Sequence, residues 1–157
     1  MNDSSRFGES PPPATTVDRH GFEVLDHVSC LRLLGASSVG RVGFSAGALP
    51  MVVPVNYVLL EGSIVFPSEG GVKSRAAQQG AVACIEADGF DGFSEDGWSV
   101  LAIGRLSEIR DPATLERVSR FPLTTWSPEG ADHFIELAIE LLSGRRVARG
   151  SARTEGT

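Results

Sequence analysis

The sequence predicts a mainly β domain of the α+β class, in which antiparallel strands close into a barrel and helices lie at its periphery. Five or six runs of residues have strand character, and the connections between them are short enough for hairpins. Glu61-Gly62, for example, is a tight-turn signal between the runs Val58–Leu60 and Ile64–Phe66. Parallel strands need long crossovers, so hairpin order favours a barrel over a doubly wound sheet.

The two ends of the chain set the limits of this domain. Residues 1–20 and 149–157 are polar and offer little that could form a core, so we predict a disordered leader, a domain over 21–148 and a disordered tail. Glu23–Leu34 carries apolar residues at helical spacing and predicts a first helix that ends at Gly35.

The strands follow in order along the chain. Pro54, inside one of them, removes a ladder donor and predicts an edge, a bulge or a bend facing a ligand. The predicted strands are Val39–Phe44, Leu49–Leu60, Ile64–Phe66, Ala81–Ala87 and Trp98–Arg110. Shorter helices are predicted over Lys73–Gln79 and from Pro112 to about Arg120, and a loop over Asp88–Gly97. His133–Leu142 fits a helix by propensity, and Phe134–Leu137 could equally start a last strand.

The composition limits the function classes. The net charge of -6 argues against general affinity for nucleic acid or an anionic membrane. Cys30 and Cys84 belong to no metal-ligand cluster, and both are predicted to be buried, reduced thiols. No stretch is apolar for long enough to span a membrane as a helix, and no signal peptide is recognisable, so we expect a cytoplasmic protein.

A series of five short motifs resembles a known family. They are Val39-Gly-Arg-Val-Gly-Phe44, Pro54-Val-Asn-Tyr57, Gly62-Ser-Ile-Val-Phe66, Lys73-Ser-Arg-Ala-Ala77 and Gly97-Trp-Ser-Val-Leu-Ala-Ile-Gly104. Each is weak alone, but their order and hairpin spacing are similar to the pyridoxamine 5′-phosphate oxidase-like flavin-binding proteins, in particular the short actinobacterial type. The resemblance covers roughly Val24 to Val147.

The resemblance implies a six-stranded antiparallel split barrel and a homodimer with two cofactor sites at the subunit interface. The implied cofactor is flavin mononucleotide (FMN), and some members hold the deazaflavin F420 or haem instead. It also implies a last strand near Phe134–Ile139, which overrides the helical propensity of that segment.

The segment Gly70–Arg75 is the candidate for binding a flavin phosphate. A phosphate needs backbone N–H groups and a cation, and here glycines lead into a helix that carries Lys73. Ser68 and Ser74 add hydroxyl groups on either side. Pro67 and Val72 stand where relatives commonly have an arginine and a hydroxyl residue, so we predict a weakened phosphate site in which Arg75, Arg145 or Arg146 compensates.

The candidates for contact with the flavin ring lie on two other strands. Backbone groups around Pro54 and Val55, with the amide of Asn56, could pair with the polar edge of the ring. An ordinary strand in which Tyr57 belongs to the core is the competing interpretation. Trp98 is either a flavin contact or an interface anchor.

The function that follows is a flavin-dependent oxidoreductase of unknown substrate, in which the cofactor carries the chemistry and no catalytic side chain is visible. The competing functions are a non-catalytic flavin-binding or redox-sensing module, a protein that binds F420 or haem, or a structural dimer that has lost its ligand. The arginines that recognise vitamin B6 in true oxidases are not recognisable here. Trp126 is predicted to cover an edge of the barrel, with a lid over the site of the partner subunit as the alternative. His20, His27 and His133 are predicted to lie at the surface.

Overall fold

The computed structural model describes residues 15–93, 96–125, 131 and 133–147, which form one curled antiparallel sheet with helices around it. The helices are α1 (His27–Ala36), α2 (Gly71–Gln78) and α3 (Pro112–Val118). The strands are β1 (Glu23–Val24), β2 (Val39–Ala46), β3 (Leu49–Asn56), β4 (Val58–Leu60), β5 (Ser63–Ser68), β6 (Val82–Asp91), β7 (Asp96–Glu108) and β8 (His133–Arg146).

The strand order in the sheet is β3-β2-β6-β7-β8-β5-β4, with β1 paired to one end of β8. The sheet curls until β3 approaches β5, which makes the half-closed shape of a split barrel. The predicted fold class is therefore confirmed, but eight strands replace the predicted six. The long run Leu49–Leu60 breaks at Tyr57 into β3 and β4, and β1 is an additional short strand.

The first helix starts later than predicted. The side chain of Asp26 accepts a hydrogen bond of 2.7 Å from the backbone N–H of Ser29, which fixes the helix start at His27. Glu23 and Val24 leave the helical pattern because they pair with Arg146 and Arg145 of β8. Gly35 lies inside α1, so it does not stop the helix.

The predicted loop Asp88–Gly97 is wrong over most of its length, because β6 continues to Asp91 and β7 begins at Asp96. One of its glycines makes room for a side chain inside the hairpin. Gly89 lies opposite Trp98, and a Cβ atom on Gly89 would stand 2.5 Å from the indole nitrogen. Glycine at this position therefore leaves room for the indole ring.

The last strand is confirmed over Phe134–Ile139 and extends well beyond it, to Arg146. It pairs with β7 along most of its length and with β5 near its start, so it joins the two halves of the barrel. The remaining helices and strands lie within a few residues of their predicted bounds.

The main core fills the interior face of the sheet, where Val42, Phe66, Ile85, Leu106 and Leu137 are buried. A second apolar cluster lies under α3 on the other face, around Val65, Ile109 and Val118. Tyr57 belongs to the core, and its hydroxyl group donates a hydrogen bond of 2.9 Å to the carbonyl oxygen of Leu34. Burial raises the pKa of this phenol above its usual value.

The two cysteines differ in their surroundings. Cys30 is buried, as predicted, and burial raises the pKa of its thiol. Cys84 is only partly buried, contrary to the prediction, because it points to the outer face of β6.

The predicted tail and the loop around Trp126 lie outside the described residues. Of the predicted leader only residues 15–20 are described, and there Val17 bridges to Glu23. In the described part of the chain no helix is both long and apolar enough to cross a bilayer.

Candidate functional site

The junction between β5 and α2 gathers the predicted phosphate ligands. Ser68 and Ser74 are both buried, and their hydroxyl oxygens lie 3.1 Å apart. Gly70, which precedes α2, has a φ of 93° and Gly71 has a φ of 74°, a backbone conformation that glycine adopts without strain. The residue at the N-cap, Gly70, has no side chain, and no other described side chain caps the helix, so the amide groups of its first turn remain available to an anion.

Lys73 lies in this first turn of α2, and its side chain is only 19% exposed. It is the single lysine in the 157-residue sequence. Its ammonium nitrogen lies 3.8 Å from a carboxylate oxygen of Glu69, an ion pair too long to be a hydrogen bond. The structure thus brings Ser68, Lys73 and Ser74 together around one helix start, with Glu69 as a competing anion.

The two departures from the family pattern have structural explanations. Pro67 is buried in β5 opposite Phe134, whose ring packs in the cluster under α3, so an arginine at this position would enter apolar surroundings. Val72 packs against the main core and offers no hydrogen bond.

The three arginines predicted to compensate are not beside Lys73 in this chain. Arg75 lies on another face of α2, next to a cavity of about 300 Å³ that the turn between β2 and β3 also lines. Arg145 forms an ion pair of 2.8 Å with Asp18, and Arg146 lies 3.8 Å from Glu23. Both are at the far end of β8.

Pro54, Val55 and Asn56 lie on β3, which is an edge strand of the sheet. An edge is one of the three positions that the sequence predicts for Pro54. Pro54 is exposed, whereas the side chain of Val55 is buried, so Val55 offers a ligand only its backbone groups. The side-chain amide of Asn56 donates to the backbone oxygen and the hydroxyl oxygen of Thr124, at 2.7 and 2.9 Å. Asn56 is therefore held by the segment after α3, and its carbonyl oxygen is the atom left for a ligand.

Trp98 lies at the opposite end of the barrel from Lys73. It is partly buried opposite Arg146, beside a cavity of about 300 Å³ that Gly89, Phe90 and Gly97 also line. Glu108 stands ten residues further along β7, which at about 3.3 Å per residue is a separation on the order of 30 Å. Since Ser68 lies near the Glu108 end, Trp98 and the phosphate ligands of one chain do not meet.

A pair of side chains missing from the sequence prediction lies near Ser68. Nδ1 of His133 is 2.6 Å from a carboxylate oxygen of Glu108, whose side chain is only 12% exposed. Hydrogen bonds from Arg110, and then from His133, hold the pKa of Glu108 below its usual value. His133 is thus held by Glu108, and its side chain is 43% exposed, which agrees with the predicted surface position. Only the strand register brings the pair together, and the sequence carries no direct signal of that register.

Comparison with known proteins agrees with this architecture. A model of the family described as pyridoxamine 5′-phosphate oxidase matches residues 26–146. An uncharacterized protein of Mycobacterium tuberculosis, Rv0080, is 32% identical over 132 residues, which is 81% of this chain and 86% of the relative.

Two solved structures share the fold. A FAD-binding protein from Mycobacterium smegmatis is 26% identical and superposes with a TM-score of 0.64, covering 78% of this chain and 95% of its own. A FAD-binding protein from Mesorhizobium loti is 22% identical with a TM-score of 0.65, covering 81% of this chain and 99% of its own. With most of its length matched by the family model, the chain belongs to the pyridoxamine 5′-phosphate oxidase-like family of split-barrel proteins.

Proposed function

We propose that this protein binds FMN through the start of α2 and works as a flavin-dependent oxidoreductase in a homodimer. The observation that carries the proposal is the uncapped start of α2, where two buried hydroxyl groups and the single lysine meet. A phosphate dianion would accept hydrogen bonds from the free amides of the first turn and lie at the positive end of the helix dipole.

The arrangement fits a phosphate better than a neutral ligand. One of the two serine hydroxyl groups donates to the other, and the Ser68 hydroxyl also lies 3.4 Å from the carbonyl oxygen of Gly70. Each hydroxyl can rotate to donate to an anion instead. The ion pair between Lys73 and Glu69 is long, so a phosphate can compete for the ammonium group. Glu69 partly offsets this charge, which supports weaker binding than a site with two cations would give.

The flavin ring would lie along the free edge of β3. Among the described strands β3 pairs only with β2. Along Pro54, Val55 and Asn56, the backbone groups of every second residue therefore point away from β2 and are open to a ligand. When bound, the flavin supplies hydride or electron transfer, and the protein supplies position and electrostatics.

A second copy of the chain would complete the site. Trp98 and Arg146 lie too far from Lys73 to contact the same cofactor, so in our proposal they reach it from the partner subunit. An apolar row crosses the outer face of the sheet and supports this arrangement. Its members stand opposite one another on five neighbouring strands: Val52, Gly43, Cys84, Ile103 and Leu141.

This outer row has the chemistry of an interface. Val52 and Leu141 are 66% and 65% exposed. Contact of two large aliphatic side chains in one row with water is unfavourable, and such patches mark interaction surfaces. Gly43 has no side chain, so the row contains a shallow groove of about 410 Å³ at this position. Side chains of a second copy could pack into this groove. An isologous dimer would bury the row of each copy against the other.

A dinucleotide flavin is a second candidate cofactor, favoured by the cavity beside Arg75. In the described part of the chain Arg75 makes no ion pair, and its cavity adjoins α2. A second phosphate could reach it, as the FAD-binding relative from Mycobacterium smegmatis suggests. F420, haem and a flavin held without catalysis are the further candidates that the sequence leaves open.

The visible spectrum of the purified protein separates these candidates. A flavin spectrum supports the proposal, and mass analysis of the released cofactor distinguishes FMN from FAD. A Soret band would indicate haem. Oxidation of reduced nicotinamide or reduced F420 by the loaded protein then separates an oxidoreductase from a binding module, and a colourless protein that ignores added flavins contradicts the proposal.

We expect Lys73→Ala to weaken FMN binding by about 10- to 100-fold, because it removes a charge-assisted hydrogen bond of about 1.5–3 kcal/mol. Titration of the apoprotein with FMN, followed by quenching of flavin fluorescence, measures the change. Riboflavin, which has no phosphate, should bind both proteins alike. Arg32→Ala, which removes a cation from the exposed side of α1, is the matched control, and FMN affinity of Lys73→Ala equal to wild type would refute the phosphate assignment.

The single lysine provides a direct readout of the same site. Reductive methylation with ¹³C-formaldehyde keeps the positive charge and places one labelled side chain, that of Lys73, in the folded protein besides the amino terminus. A phosphate next to this ammonium should shift its methyl resonance when FMN is added, and riboflavin should not.

A further inference from the structure

The pair formed by Glu108 and His133 lies on the same face of the barrel as the phosphate ligands. Ser68 of β5 stands directly opposite His133 of β8, and Glu108 of β7 stands opposite Ile135. Residues directly opposite in an antiparallel pair share a face, with Cβ atoms about 4.5–5.5 Å apart. Since Ile135 is fully buried in the core, this face is the interior one.

The contact with Glu108 determines which nitrogen of the His133 imidazole ring can contact a ligand. Nδ1 is engaged at 2.6 Å by a carboxylate, so it carries a proton and donates it to Glu108. The other ring nitrogen, Nε2, makes no hydrogen bond to any described residue. A carboxylate that fixes one ring nitrogen in this way leaves the second nitrogen oriented toward a ligand.

We propose that His133 is an additional anion-binding residue of this site, which donates from Nε2 to the flavin phosphate while Glu108 positions its ring. The inference rests on the proposed binding of a flavin phosphate at α2. Pro67 stands where relatives commonly have an arginine. His133 would supply a positive charge in place of that arginine, from the neighbouring strand β8. Donation from both ring nitrogens at once, to Glu108 and to the phosphate, requires the doubly protonated ring.

The charges around His133 set the expected pH dependence. Glu108 and Arg110 face it from the end of β7, and Glu69 and Lys73 lie beyond Ser68. Asp132 precedes it in the sequence but lies outside the described residues. Donation from Nε2 to the phosphate while Nδ1 donates to Glu108 requires a proton on both ring nitrogens. The bound state therefore takes up a proton from solution, so FMN affinity should fall as the pH rises.

The titration of the ligand does not produce the same trend. A phosphate monoester takes its second negative charge near pH 6, so FMN is mostly a dianion from about pH 6.5 upward. Its own ionisation would make binding slightly tighter as the pH rises. Weaker binding at high pH therefore reports a group on the protein.

The test compares FMN affinity at pH 6.5 and pH 8.5 in matched variants. We expect the dissociation constant of the wild-type protein to rise about tenfold over this range. His133→Asn keeps a donor toward Glu108 but loses Nε2, so its affinity should be about tenfold weaker at pH 6.5 and change less than about twofold with pH. His27→Asn, on exposed α1, makes the same chemical change away from the site and should behave as wild type.

A second variant tests the positioning role of Glu108. Glu108→Gln removes the negative charge that faces Nδ1 and loosens the orientation of the ring, so FMN affinity should fall at both pH values. The ¹⁵N resonances of the His133 ring should show the Nδ1-protonated form in the wild type at high pH and a mixture of tautomers in Glu108→Gln. A purely structural role of Glu108 would change neither the FMN affinity nor the resonances in variants that remain folded.

The outcomes separate this inference from the proposed function. FMN binding that is equally tight and equally pH-dependent in wild type and His133→Asn would overturn the role of His133 and leave the flavin site standing. Riboflavin affinity should be unchanged in His133→Asn, and a loss equal to that for FMN would also overturn the role. Wild-type protein that binds no FMN at either pH contradicts both proposals.

Discussion

Gly104→Ala should destabilise the fold by about 3–4 kcal/mol, the largest effect we expect from adding a single methyl group. A Cβ atom at this position would overlap the backbone carbonyl oxygen of Ala138 in the adjacent strand. The register of β7 and β8 shifts here, since Ile103 pairs with Leu141 but Gly104 pairs with Ile139. This β-bulge leaves Glu140 without an opposite residue and brings the two backbones close together.

The collision at Gly104 cannot be relieved cheaply, because its partner is backbone and not the end of a flexible side chain. Moving Ala138 would disturb the pairing of β8 with both β7 and β5. Total stabilities of 5–15 kcal/mol are typical, so this loss is a large fraction. Thermal unfolding followed by circular dichroism should show a midpoint lowered by about 6–16 °C.

Gly35→Ala is the matched control for this change. Gly35 lies inside α1, and a Cβ atom there would meet only Leu59, at an ordinary contact distance of 3.9 Å. Alanine within a helix is favoured over glycine by about 0.5–1 kcal/mol, so this variant should unfold at a slightly higher temperature. Equal midpoints for Gly104→Ala and wild type would show that the bulge shifts to accept the methyl group.

The strands could be predicted from the sequence, but the register between β7 and β8 at this bulge could not. Alternation and turn signals are local, so they predicted the strands, and the motif order placed a strand at Phe134–Ile139. Register is not local. The pairing of Ser68 with His133, and of Trp98 with Arg146, depends on how three strands align around the bulge at Glu140. A one-residue slip would move every side chain of β8 to the other face.

The errors at the start of the chain and in the hairpin have a different cause. Val24 and Leu25 fit a helical spacing, but the cap at Asp26 decided where α1 begins. This was a readable signal, since an aspartate before a helix accepts from the third residue after it. The glycines of Asp88–Gly97 suggested a loop, yet Gly89 is there because Trp98 packs on it. Composition cannot distinguish a flexible glycine from one that makes room for an indole ring.

The candidate site was likewise predictable only where its residues are close in sequence. Ser68, Lys73 and Ser74 lie within seven residues, so their meeting at a helix start was predictable from the sequence. The roles of Asn56 and Trp98 depend on distant segments: Asn56 is held by Thr124, and Trp98 lies at the opposite end of β7 from the phosphate ligands. Only a second copy of the chain would bring Trp98 to the cofactor, which makes the dimer the decisive assumption of the proposed function.

Val52→Glu should convert the proposed dimer to a monomer and abolish flavin binding. In the single chain this side chain is 66% exposed, so a carboxylate there costs the folded monomer little. In the dimer it would be buried without a partner, at a cost of several kcal/mol. A two-fold interface contains the substituted residue twice, so the dissociation constant should rise by at least about 1,000-fold.

The measurement is sedimentation equilibrium, in which the wild type should have twice the 16.6 kDa chain mass and Val52→Glu the chain mass itself. Val28→Glu is the matched control, because the same change is made at a residue that is 73% exposed on α1, away from the outer row. It should remain a dimer and bind FMN. If Val52→Glu is a folded monomer that still binds FMN with wild-type affinity, then Trp98 and Arg146 of a partner are not needed and the site belongs to one chain. If it remains a dimer, the outer row is not the interface, and the two halves of the site must meet through another surface.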